Sequence, residues 1–146
     1  MDAWTNDRVM DKARELFELA RRVAAHTGPD DVRREYEPTV TVFGPKANQF
    51  NQVDRALVTL LAEKGSFKEV VPTLLRGTQA THALWIAEAW IRTDAGKREA
   101  LMGIVLGPRL EVHLRAVLGE KGFETPDEYR VPIEEAPVSK LIKPGP

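Results

Sequence analysis

From Thr5 to His26, apolar residues recur every three or four positions: Met10, Ala13, Phe17, Ala20 and Ala24 form one stripe, widened by Leu16 and Val23. That spacing predicts an amphipathic helix with one face on a core. Thr5 or Asn6 stands where an N-cap is needed, Asp7 where the helix dipole favours an anion, and Gly28-Pro29 just past the last turn. The other side carries Arg14, Glu15, Glu18, Arg21 and Arg22, a solvated and self-paired surface.

Between His82 and Leu118 the period falls to two. His82 to Arg92 is rich in residues that suit a pleated surface, among them Trp85, Ile86, Trp90 and Ile91, and it ends at the turn-forming stretch Thr93 to Lys97. A second apolar run from Arg98 stops at Gly107-Pro108. The third alternates strictly, with Leu110, Val112, Leu114, Ala116 and Leu118 set against Arg109, Glu111, His113 and Arg115. Three antiparallel strands in a meander are predicted.

The simplest registers centre the first hairpin on Ala95 and turn the second at Gly107-Pro108. On that assumption Trp85, Ala87, Ala89 and Ile91 share a core face with Leu101, Gly103 and Val105, and with Leu110, Val112, Leu114 and Ala116. The opposite face then combines Leu84, Ile86, Glu88, Trp90 and Arg92 with Arg98, Ala100, Met102, Ile104 and Leu106, and with Arg109, Glu111, His113 and Arg115. A face so divided between apolar and charged groups calls for a cover, whether a helix, the chain's own tail or a partner.

Elsewhere the pattern is weaker. Thr39 to Phe43 is a β-branched run stopped by Gly44-Pro45, hence a strand. Lys46 to Asp54 is polar and reads as an exposed loop. Arg55 to Ala62 fits a helix continuing from Phe50 or a strand pairing with 39–43, and the strand is preferred. Ser66 to Glu69 has capping-box form ahead of a stripe of Phe67, Val70, Val71, Leu74 and Leu75, with Pro72 predicting a kink or an early end. After Leu118 prolines and glycines punctuate the chain: Tyr129 to Ile133 suits an edge strand, whereas Pro137 to Pro146 reads as extended or disordered.

The elements together predict an α+β fold, one antiparallel sheet (the 82–118 meander plus a strand or hairpin near 39–61) packed with the N-terminal helix and a second helix near 66–76. One compact domain spans 1–128, followed by a Pro-rich tail over 129–146. The length of 146 residues suits a single core.

Composition narrows the function more than the motifs do. Lysine plus arginine number 21 against 22 acids, so no broad field draws nucleic acid; Arg92, Lys97, Arg98, Arg109 and Arg115 remain as a local basic patch of lowest rank. The lack of cysteine removes disulfides and thiolate chemistry. No signal-like start and no apolar run of membrane-spanning length stands in the sequence, so a cytoplasmic protein without membrane contact is expected. His26, His82 and His113 lie far apart with no HExxH, and Phe43 to Ala47 lacks the spacing of a phosphate loop, so neither metal nor cofactor is expected.

Two functional readings follow. The first is a non-enzymatic interaction or assembly protein that binds a protein partner or itself through the mixed face, with Trp90, Arg92, Met102, Glu111 and Arg115 as the interface. The second uses the same face in a small metal-independent enzyme, with Glu88 and His113 as acid and base. The plainer account of these residues is cross-strand charge pairing under a covering element, since no nucleophile or oxyanion device accompanies them.

Overall fold

The computed structural model describes residues 4–24, 36, 38–44, 50–52, 67–120 and 122–142. In order they form α1 (Asn6–Ala24), β1 (Thr39–Phe43), β2 (Phe50–Gln52), α2 (Phe67–Thr78), β3 (His82–Thr93), β4 (Gly96–Gly107), β5 (Leu110–Gly119), β6 (Gly122–Phe123), β7 (Asp127–Arg130), a 3-10 turn (Ile133–Glu135) and α3 (Pro137–Leu141). The fold is α+β, as its patterning predicts. The strands form a curled antiparallel sheet in the order β2-β1-β3-β4-β5-β6, and β7 also pairs with β5. The segment 55–62, with its choice between strand and helix, lies outside the described residues; β1 pairs with β3 on one side and on the other with β2, which falls within the stretch expected to be a loop.

One helical layer lies on each face of the sheet. Val9, Met10, Ala13, Phe17, Ala20 and Ala24 are the buried side of α1, close to the stripe its spacing predicts. They meet Leu84, Ile86, Leu101, Val105, Leu110, Val112, Leu114 and Ala116 in the first core cluster. Gly103 leaves the room that Phe17 fills: a Cβ there would stand 3.0 Å from its ring. On the far face Val70, Val71, Leu74 and Leu75 of α2 cover Val40, Val42, Ala83 and Leu106. Pro72 lies inside α2, which runs through to Thr78 instead of ending early. The lost backbone bond is offset by that buried stripe on either side of it.

The register corrects the face assignment. Thr93 pairs with Gly96 across a two-residue turn, Asp94-Ala95, so Trp85 faces Ile104, Ile86 faces Gly103 and Glu88 faces Leu101. A turn centred on one residue would need an odd loop; the observed turn is one residue shorter. Gly96 takes up the positive φ of 101° that closes it, and Thr93 Oγ1 donates to Gly96 O at 2.8 Å. Because side chains alternate, this shift by one turns the whole of β3 over. Leu84, Ile86, Glu88 and Trp90 therefore lie on the α1 face, and Trp85, Ala87, Ala89 and Ile91 on the other. The second turn is Pro108-Arg109, with Gly107 opposite Leu110. This moves the expected pairing by two residues and leaves the faces of β4 and β5 as predicted.

The tail is folded against the sheet as far as Ile142. The boundary expected at residue 128 falls inside β7, and Ala136, Ser139 and Ile142 are buried. Val131 N donates to Glu111 O at 2.9 Å, Ser139 Oγ to Leu110 O at 2.7 Å, and Arg14 bridges α1 to Glu128.

Candidate binding sites on the sheet and at its end

The residues expected on one mixed face divide between two. Trp90, 65% exposed, and Arg92 stand on the α1 face near the β3–β4 turn. Met102, Glu111, His113 and Arg115 remain on the far face, with Met102 directly opposite Arg115. Glu88 and His113 thus point to opposite sides of the sheet and do not meet. Glu88 instead accepts a hydrogen bond from the backbone N–H of Tyr36. The basic set divides as well: Arg92 and Lys97 share the α1 face, whereas Arg98 and Arg115 lie on the far face, Arg98 donating to Leu118 O at 2.7 Å and Arg115 pairing with Asp127 at 3.1 Å.

The far face assembles a different polar group. Glu111 is 1% exposed, a rare position for a carboxylate, and it is compensated from two elements. Lys68 of α2 brings Nζ to 2.5 Å from Oε2, and His113 Nε2 donates to the same oxygen at 2.8 Å. Oε1 accepts no hydrogen bond from the described residues. The second nitrogen of His113 has no partner among the described residues, and its ring meets Tyr129 of β7 edge to face, centroids 6.4 Å apart. Tyr129 is paired with His113 in the ladder and is 56% exposed. Helix, central strand and edge strand therefore converge on one buried carboxylate, with an aromatic at the outer margin. Strict alternation in β5 reveals Glu111, His113 and Arg115 in the sequence; Lys68 and Tyr129 carry no local signal.

A second site lies where the sheet ends. The start of β3, the β4–β5 turn, the head of α1 and α3 line a half-open cavity of about 680 Å³. Its floor is a chain of hydrogen bonds: Thr81 Oγ1 to His82 Nδ1 at 2.7 Å, His82 Nε2 to Asn6 Oδ1 at 2.8 Å, and Asn6 Nδ2 to Pro108 O at 3.2 Å. Asn6 Oδ1 is an acceptor only, so Nε2 carries the proton and the Thr81 hydroxyl donates to Nδ1. Burial pushes the His82 imidazole down to about 4, so it is neutral at pH 7. Gly107 is required here, since a Cβ would run into the His82 ring. Thr5 caps α1 beside it, accepting from Arg8 N at 3.2 Å. Nothing local in the sequence announces this site, because its walls come from four separate stretches of chain.

Among the described residues no three histidines or acids stand close enough to share a metal ion, and no helix is long and apolar enough to cross a membrane. No protein-family model, curated protein or solved structure matches the chain.

Proposed function

We propose that the chain is a cytoplasmic, non-catalytic interaction module that engages a protein partner, or a second copy of itself, through the flank of the sheet formed by β5 and β7. One observation carries this reading: buried Glu111 pins His113, whose ring meets exposed Tyr129. Side chains already held in one arrangement lose little entropy on association, and a sheet face that carries tyrosine, arginine and methionine has a favoured composition for an interface core. Tyr129, His113, Arg115 and Met102 are the contact set; Trp90 and Arg92, on the other face, are outside it.

A photo-crosslinking amino acid in place of Tyr129, expressed in the native host, tests the reading. The expected product is one discrete adduct, either twice the chain mass or the chain plus one other protein, and R115E abolishes it. Absence of a discrete adduct, or one indifferent to R115E, overturns the proposal.

The Glu111–His113 bond favours a second reading. A carboxylate that fixes one imidazole nitrogen leaves the other available as a general base, the role first sought in Glu88 with His113. On this reading the chain hydrolyses activated esters such as p-nitrophenyl acetate faster than free imidazole does, and H113Q removes the excess. No excess over imidazole rules it out.

A further inference from the structure

The cavity at the sheet end is unusual in the charge it carries. Its described walls include two cations, Arg109 and Lys140, and no carboxylate. Both are exposed, and neither forms an ion pair among the described residues. The polar groups of the floor are satisfied internally: the Thr81, His82 and Asn6 chain ends on Pro108 O, and Ser139 Oγ is spent on Leu110 O. The unused binding capacity is therefore cationic. Trp4, only 9% exposed, supplies an apolar wall held edge to face against Phe43, with Ile142 on the tail side.

Arg109 adds a second, independent observation. It follows Pro108 in a two-residue turn and has a φ of 54°, the left-handed conformation that glycine adopts freely and an arginine does not. A strained residue of this kind persists only where its surroundings over-determine it and commonly marks a ligand clamp. Here the backbone holds it, Arg109 N donating to Ser139 O at 3.4 Å. Glycine would relieve the turn; arginine at this point places a guanidinium on the cavity.

We propose that this cavity is a binding site for a small organic anion, a carboxylate or phosphate monoester on an apolar body, with Arg109 and Lys140 holding the charged head and Trp4 the apolar part. The volume lies within the roughly 300–1,000 Å³ of small-molecule sites, and the pairing of an apolar wall with a few charged groups is their usual composition. Arg109 offers a planar fork to either head group and Lys140 a mobile point charge. The site is separate from the β5–β7 flank and does not depend on it.

The test is a titration of the full chain, labelled with nitrogen-15, followed by two-dimensional NMR with phenyl phosphate, benzoate, inorganic phosphate and neutral benzyl alcohol as probes. The expected result is a saturable shift of the Trp4 indole and of the Arg109 and Ser139 amides with phenyl phosphate or benzoate, the tighter of the two naming the head group. R109G, whose turn suits glycine, and K140M, on an exposed position, each weaken that binding by about tenfold or more, a difference of about 1.4 kcal/mol. R109K retains more affinity than R109G. The proposal is overturned if no probe gives a saturable shift at Trp4, if benzyl alcohol or inorganic phosphate binds as well as the aromatic anions, or if both variants bind as the parent does.

Discussion

His82 sets a pH limit on the fold. Its imidazole is 2% exposed, with a folded pKa lowered by burial to about 4 from the usual 6.5, so between those values the unfolded chain takes up a proton that the folded chain refuses. Stability is therefore full above about pH 6.5 and is lost as the pH falls towards 4, by a total on the order of 3 kcal/mol at 1.36 kcal/mol per unit. Glu18, held below the usual carboxylate range by its hydrogen bond to Arg21, adds a loss of the same sign at still lower pH. An NMR titration of the His82 ring checks the first of these directly: the ring should remain neutral to near pH 4, and urea midpoints should fall between pH 6.5 and 4.5. A ring that titrates near 6.5 contradicts it.

Between elements, the Lys68–Glu111 pair fastens α2 to β5. Lys68→Met leaves a carboxylate buried with His113 as its remaining partner. Breaking a fully buried pair costs roughly 3–5 kcal/mol; with the Lys68 side chain 38% exposed, a loss on the order of 2 kcal/mol is expected. The double variant K68M/E111Q should recover part of it, since the stranded charge is gone, and urea unfolding of the four proteins of the cycle measures the coupling. Strictly additive losses would mean that the pair does not join the helix to the strand. At this scale α1 and β5 are legible in the sequence because each has polar residues confined to one side. β3 is not: Leu84, Ile86 and Trp90 in one parity and Trp85, Ala87 and Ile91 in the other are equally apolar, so its orientation depends on whether the turn has two residues or three. The candidate site inherited that ambiguity. Glu111, His113 and Arg115 are placed correctly by alternation, whereas Glu88 and Trp90 follow β3 to the other face. The tail is illegible for another reason, its order coming from bonds across long stretches of chain, Ser139 to Leu110 and Val131 to Glu111, rather than from any local period.

Across the whole molecule, the tail completes the layer begun by α2. Ending the chain after Arg130 removes buried Ile142 and Ala136 together with the Ser139 bond; an isoleucine contributes roughly 1.5–3 kcal/mol and a hydrogen bond about 1, so a loss of about 3 kcal/mol or more is expected in urea unfolding. An unchanged midpoint would show that the tail adds nothing to the core. Helices on both faces also require β3 to be apolar on both. If β3 slipped by one residue, Trp85, Ala87, Ala89 and Ile91 would lie beneath α1 with little change in apolar burial, so burial alone barely distinguishes the two arrangements. The decision falls to the Asp94-Ala95 turn and to the pairing of Thr39–Phe43 with β3. The orientation of the central strand is thus specified by a two-residue turn and a neighbouring strand, not by the apolar residues it buries.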